Sequence, residues 1–179
     1  MISVVIPTQN AEKGLVRTLS SLLEAAMRGL VRDVVIADRG STDQTLAIAE
    51  DAGCAIVKAD AARGGLMDAG ARAAKGPWLL FLQAGTALEP GWDGEAYDFL
   101  RQGEHSRAAT FRFALDDKRW SARRTEFLYR VRNKVFALPY GDQGLLIAKA
   151  HYERLGGYKD LPVLDDVDEA GGSARAVAI

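Results

Sequence analysis

Short runs that are apolar on both faces, alternating with stretches whose apolar residues recur at helical spacing, constrain this chain more than any other feature. Residues 2–7 (ISVVIP), 31–37 (VRDVVIA), 55–58 (AIVK) and 78–83 (WLLFLQ) each read as a strand. A strand without a polar face belongs inside a parallel sheet covered by helices on each side. Between the first two runs, Leu15, Val16, Leu19, Leu22, Leu23, Ala26 and Met27 repeat at helical spacing, with Asn10 placed to cap the start. Ser41 or Thr42 is placed to cap a second helix, which runs to about Ala52 and stops at Gly53. An alanine-rich third helix covers residues 66–75 and ends at Gly76-Pro77. The order β-α-β-α-β-α-β predicts an α/β fold, a mostly parallel open sheet flanked by helices with right-handed crossovers.

The second half is less regular. Residues 92–100 read as a helix. Residues 108–115 alternate Thr110, Arg112 and Ala114 against Phe111, Phe113 and Leu115, the period of a half-buried strand. A further strand is expected at 144–148, then a short helix ending at Gly156-Gly157. Residues 169–179, rich in Ala and Gly without periodicity, predict a weakly ordered tail. A length of 179 residues suits one domain, here 1–168.

Charge and cysteine usage narrow the function classes. The 23 basic and 24 acidic side chains leave a net charge of -1, so overall electrostatics do not point to a nucleic-acid protein, and no nucleic-acid partner is expected. The single cysteine, Cys54, excludes an intrachain disulfide framework and a cysteine-rich zinc site, and reads as a small buried hydrophobe in a reducing compartment. No apolar run approaches the roughly 20 residues of a bilayer helix, and the start has no basic flank of a signal peptide. The expected address is the cytoplasm. His105 and His151 lack partners at metal-ligand spacing, and Met67, Phe111 and Phe113 read as core.

One stretch departs from this neutrality. From Lys118 to Leu138 the pattern is helical, and Lys118, Arg119, Arg123, Arg124, Arg130, Arg132 and Lys134 stand against only Glu126. Trp120, Phe127, Leu128, Val131 and Val135 fall on one side, making a basic amphipathic helix. It suits an anionic membrane surface or a phosphorylated acceptor, and equally a core-packed helix with a solvated basic face.

Ligands of open α/β sheets bind beyond the carboxyl ends of the strands. The first loop there is Pro7-Thr8-Gln9-Asn10, and the second Asp38-Arg39-Gly40-Ser41-Thr42-Asp43. Asp38 can accept hydrogen bonds from a base or ribose, Gly40 permits a tight turn, and Ser41 lies near a helix start suited to anions. The same six residues also read as a plain turn with a helix cap.

Taken together, IPTQNAE, VVIADRGSTDQT, ARGGLMDAGARAAKG and WLLFLQAGT resemble the nucleotide-sugar half of the family 2 glycosyltransferases, in order and spacing. Later blocks, Tyr140-Gly141-Asp142-Gln143-Gly144, Leu155-Gly156-Gly157-Tyr158 and Leu164-Asp165-Asp166-Val167, are similar to that family's later motifs. The resemblance implies a single GT-A-like, Rossmann-like domain, with residues 1–105 as the nucleotide-sugar half and 106–168 as the acceptor half. It implies inverting transfer of a sugar from a nucleotide-diphosphate donor to a hydroxyl acceptor. Pro7, Thr8, Asn10, Asp38, Gly40, Ser41 and Arg63 match nucleotide-binding positions, with Arg63 in the loop before the third helix. Asp142, Gln143 and Gly144 match acceptor-side positions. Asp166 matches the general base, and Asp165 replaces the glutamate usual beside it.

The family also implies Mg²⁺ or Mn²⁺, held by the last carboxylate of an Asp-x-Asp at the end of the fourth strand. Here that stretch is Gln83-Ala84-Gly85-Thr86, and Gly85 stands at the ligand position. The departure points to a second reading, a catalytically impaired relative that binds nucleotide or a membrane surface. Arg39, where a small residue is usual, and Asp68, where asparagine is common, depart from the pattern too.

Overall fold

Seven consecutive buried residues make β1 (Ile2–Thr8) the centre of the fold. The computed structural model describes residues 1–102, 106–115, 144–158 and 174–178. The stretch from Lys118 to Leu138, His105, Asp142, Gln143, Asp165 and Asp166 lie outside the described residues.

β1 is apolar on both sides because each side meets helices. Val4 and Ile6 share one buried cluster with Leu15, Leu22 and Ala25 of α1 (Glu12–Met27), Ala49 of α2 (Thr45–Asp51) and Trp92 and Ala96 of α4 (Trp92–Arg101). Val5, one residue along and so on the opposite side, joins Met67 and Ala71 of α3 (Arg63–Ala73). Each valine, leucine, isoleucine or methionine so buried contributes roughly 1.5–3 kcal/mol, and each alanine less. The closest approach is at Gly70, where any Cβ would overlap Val5 Cγ1.

β2 (Val31–Asp38) runs parallel to one edge of β1, and β4 (Trp78–Phe81) parallel to the other. β3 (Ala55–Lys58) lies parallel beyond β2. β7 (Leu145–Ala148) then pairs antiparallel with β4, and β6 (Ala108–Leu115) antiparallel with β7. Six strands thus form one mixed sheet, continued by β8 (Ala174–Ala178) on the later half of β6 and by β5 (Ala87–Leu88) on β8. A short α5 (Lys149–Arg154) follows β7. The sheet passes without a break from the first half of the chain into the second. Among the described residues no helix is long and apolar enough to cross a membrane.

Several boundaries differ from the sequence expectation. α1 begins behind Ala11 and α2 behind Gln44, both without a side-chain cap, so neither Asn10 nor Ser41 nor Thr42 caps a helix. α3 starts at Arg63, before the predicted Leu66, because Arg63-Gly64-Gly65 carries no apolar side chain to reveal the helical period. Cys54 is half-buried rather than buried. Residues 174–178, expected to carry little order, form β8; ARAVA has no strand signature of its own, and its order comes from pairing with β6.

Candidate functional site

The parallel strands β1 and β2 end level with each other, Thr8 opposite Asp38. Pro7 is buried and sits just beyond the residues of β1 that pair with β4, where a missing N–H leaves no gap in the ladder. The Thr8 hydroxyl donates to Asp38 Oδ1 at 2.8 Å, and the Ser41 amide to Asp38 Oδ2 at 2.8 Å. The Ser41 hydroxyl also donates to Oδ1. Gly40, at φ +74°, lets the chain turn back tightly enough for these bonds.

A second set of bonds stitches the two loops together. Asn10, itself at φ +51°, donates its N–H to Ser41 Oγ at 2.8 Å and accepts the Thr42 amide on Oδ1 at 2.9 Å. One turn on, the Glu12 amide donates to Asp43 Oδ2, and the Gln44 amide to Glu12 Oε2, both at 3.1 Å. The loop pair is therefore preformed, with Thr8, Asn10, Asp38, Gly40 and Ser41 in one hydrogen-bonded cluster.

Asp38 itself is fully buried. Burial works to raise its carboxyl pKa, but bonds from the Ser41 hydroxyl and amide, the Thr8 hydroxyl and the Gly40 amide outweigh it and hold the group below its ordinary value. Four donors occupy its two oxygens, which is about the capacity of a carboxylate. The structure bonds this carboxylate into its own loop, the turn that the sequence allowed beside a ligand contact. The next residue, Arg39, is the one whose side chain reaches solvent, 3.9 Å from Asp60.

At the end of β4 the chain turns through Gln83–Thr86, closed by the Thr86 amide on the Gln83 carbonyl at 3.0 Å. Gly85, third in this turn, has φ +100°, the left-handed geometry a type II turn requires there. Its amide donates to Thr18 Oγ1 of α1 at 2.9 Å, and a Cβ on Gly14 would lie 2.8 Å from Gly85 Cα and N. The turn and α1 meet backbone to backbone. Gly85→Asp should therefore cost about 1–2 kcal/mol in urea denaturation, and Gly85→Ala about as much, because the strain lies in the backbone. A charge-specific loss, large for Asp and absent for Ala, would contradict this account.

The described residues do not fit a divalent cation. Gly85 offers no side-chain oxygen, and Gln83 Oε1 accepts Arg63 Nη2–H at 2.7 Å. Among the described residues no three His, Cys, Asp or Glu stand together as a metal group.

Arg63 is the first residue of α3, not part of the loop before it. Beside it is a chain of aromatic and polar contacts that the sequence motifs did not reveal. The Tyr158 ring meets Phe81 edge-on at 5.1 Å, and its amide donates to Tyr152 Oη at 2.9 Å. Tyr152 Oη donates to Asp68 Oδ1 at 3.2 Å, and burial pushes the Tyr152 hydroxyl pKa up to about 12. Gly144, at φ +69°, comes in from the second half beside Phe81 and Leu82. Thr8, Asp38, Arg63, Gln83 and Gly144 thus all stand at the carboxyl ends of β1, β2 and β4 or next to them. The sequence forewarned of the Asp68–Tyr152–Tyr158 chain only through the Gly-Gly-Tyr block and the unusual aspartate at 68.

The family model described as Glycosyl transferase family 2 matches residues 3–152. No curated protein matches the chain. Among solved structures, glucosyl-3-phosphoglycerate synthase from Mycobacterium tuberculosis in complex with UDP aligns with a TM-score of 0.61 at 20% identity, over 84% of this chain and 57% of that one. The same enzyme with Mn²⁺, UDP and glucosyl-3-phosphoglycerate aligns with a TM-score of 0.58, also at 20% identity and over the same shares of the two chains. S. aureus TarS 1–349 in complex with UDP aligns with a TM-score of 0.52 at 24% identity, over 64% of this chain and 34% of that one. At these identities the likeness speaks for the fold, and the chain spans well under two thirds of the length of either relative.

Proposed function

Because the chain belongs to glycosyl transferase family 2 and has its GT-A fold, we propose that it binds a nucleotide-diphosphate sugar and transfers the sugar to a hydroxyl acceptor with inversion. The observation that carries this reading is the pair of loops after β1 and β2, interlocked by their own hydrogen bonds. Thr8, Asp38, Gly40 and Ser41 shape a seat for the nucleoside, with Pro7 and Asn10 fixing its first loop. Arg63 lies where the phosphates follow. Asp142, Gln143 and Gly144 belong to the acceptor side. The UDP found with both relatives makes UDP the donor nucleotide of first choice.

In the proposed reaction Asp166, with Asp165 beside it, takes the acceptor hydroxyl proton as the oxygen attacks the anomeric carbon. The new C–O bond forms on the face opposite the leaving group. The bond to the diphosphate oxygen breaks, and the nucleoside diphosphate leaves with its electron pair. No step is assigned to a metal, since the described residues do not fit one.

A second reading, a relative that binds the donor without efficient turnover, is favoured by the turn at Gly85 and the neutral Gln83. One experiment separates the two. The chain is titrated calorimetrically with UDP, GDP and dTDP, then incubated with the matching nucleotide sugars and simple glycoside acceptors. Binding with release of nucleoside diphosphate and an inverted product supports transfer. Binding alone supports the second reading, and no binding of any of the three overturns both.

A further inference from the structure

We infer that Tyr152, with Asp68 behind it, is a positioning residue for sugar transfer: its hydroxyl clamps the backbone at Tyr158, the anchor from which the chain sets out toward Asp166. This rests on the transfer reading above and deepens it, naming a residue that supports the base without touching substrate. Both ends of Tyr152 take part. Its carbonyl accepts the Gly157 amide at 3.1 Å, and its hydroxyl accepts the next amide, that of Tyr158, at 2.9 Å. Gly156 and Gly157, at φ +87° and +67°, supply the left-handed backbone that brings the two amides back over α5. The anchor stands at the ligand edge of the sheet. The Tyr158 ring meets Phe81, the last residue of β4, edge-on at 5.1 Å. Asp166 follows eight residues later, so at most about 29 Å of chain separates it from this point.

The hydroxyl sets Tyr152 apart from a plain core aromatic. Its ring lies 5.3 Å from the Phe81 ring in a buried place that phenylalanine would fill as well. A buried hydroxyl needs partners of its own, and this one has a partner on each side. Besides accepting the Tyr158 amide it donates to Asp68 Oδ1 at 3.2 Å, joining elements 84 residues apart. Donation to a carboxylate polarises the O–H and makes its oxygen a better acceptor, so Asp68 tightens the hold on Tyr158. Arg72, one turn along α3, meets Asp68 Oδ2 at 2.7 Å and leaves Oδ1 to face Tyr152. The turn is closed down on the pair: a Cβ on Gly157 would lie 2.8 Å from Asp68 Oδ1 and 3.2 Å from the Tyr152 hydroxyl. Such a joint matters to chemistry because a general base acts only within hydrogen-bond reach, and a misplacement of about 1 Å can cost about 10²-fold in rate.

The test compares transfer kinetics with calorimetric binding, using the nucleotide sugar and glycoside that wild type turns over and the matching nucleoside diphosphate. Tyr152→Phe should lower kcat about 10- to 100-fold and leave the nucleoside-diphosphate dissociation constant as in wild type. Its Tyr158 amide should exchange faster with solvent. Asp68→Ala should lower kcat in the same way, and Asp68→Asn, whose amide oxygen still accepts the hydroxyl, should recover most of that loss. The double variant Tyr152→Phe with Asp68→Ala should be no slower than Tyr152→Phe, since the two groups act as one unit. Should Tyr152→Phe fail to fold, as judged by circular dichroism and melting, the two Asp68 variants carry the test, because the Asp68 side chain reaches the surface. Wild-type kcat in Tyr152→Phe or Asp68→Ala would overturn the inference and leave the transfer reading standing. So would a loss of nucleotide affinity in step with kcat, or Asp68→Asn as slow as Asp68→Ala. Nucleotide binding by wild type without any transfer would remove the reading on which the inference rests, and the inference with it.

Discussion

Asp38→Ala should destabilise the chain by about 3 kcal/mol or more in urea denaturation and abolish nucleoside-diphosphate binding. The alanine leaves the buried Thr8 hydroxyl without its acceptor, at roughly 1–3 kcal/mol, and takes the acceptor from the part-buried Ser41 hydroxyl and amide and from the Gly40 amide at smaller cost. Water entering the vacated space offsets part of the sum. Asp38→Asn should lose less, about 1–2 kcal/mol, because one oxygen remains while the amide nitrogen faces donors. The pH dependence has a definite sign. The folded-state pKa of Asp38 lies below its ordinary 3.8, so its contribution is complete above that value and is lost as pH falls through the folded pKa. Wild type should therefore lose stability more steeply than Asp38→Ala on acidification below about pH 4. Parallel acid limbs would mean that the carboxylate gains nothing from its four donors.

Asp166→Asn should lower kcat for sugar transfer by about 10²–10⁴, the usual contribution of a general base, and leave the UDP dissociation constant unchanged. The asparagine is close to isosteric, so a loss confined to kcat marks a missing proton acceptor instead of a damaged site. Asp165→Asn should have a much smaller effect, since the neighbour does not receive the proton. The measurement is steady-state transfer kinetics beside calorimetric UDP titration for each variant. A drop in UDP affinity matching the drop in kcat would assign Asp166 to donor binding and leave the base unidentified.

The strands were legible because their apolar residues have no alternative use: Val4, Val5 and Ile6 on consecutive positions need cover on both sides, and only a sandwiched strand provides it. The starts of α1, α2 and α3 were not legible, whereas that of α4 at Trp92 was. The expectation that Asn10 caps α1 failed because its left-handed backbone and its bonds to Ser41 and Thr42 depend on a loop more than thirty residues away. The same gap hides the role of Asp38. A carboxylate after a strand looks alike in sequence whatever it bonds, and only the converging donors show that Asp38 is tied into its own loop. Gly85 was legible as a residue without a side-chain oxygen. Its positive φ, and the glycine opposite it on α1, were not.

The contact between Gly14 and Gly85 fixes the order in which this site could be changed. A side chain at 14 has nowhere to go, since its Cβ would already lie 2.8 Å from the backbone of the turn. A side chain at 85 has space around it but would sit on a backbone shaped for glycine. Bringing residue 85 into an ordinary conformation means moving the turn, and the turn is seated on α1 through Gly14 and Thr18. The opening turn of α1 is in turn bonded to the loop after β2 through Glu12, Asp43 and Gln44. An engineer seeking to rebuild an acidic ligand at 85 would have to reshape the helix seat first, and the nucleotide loop would register that change before any metal did.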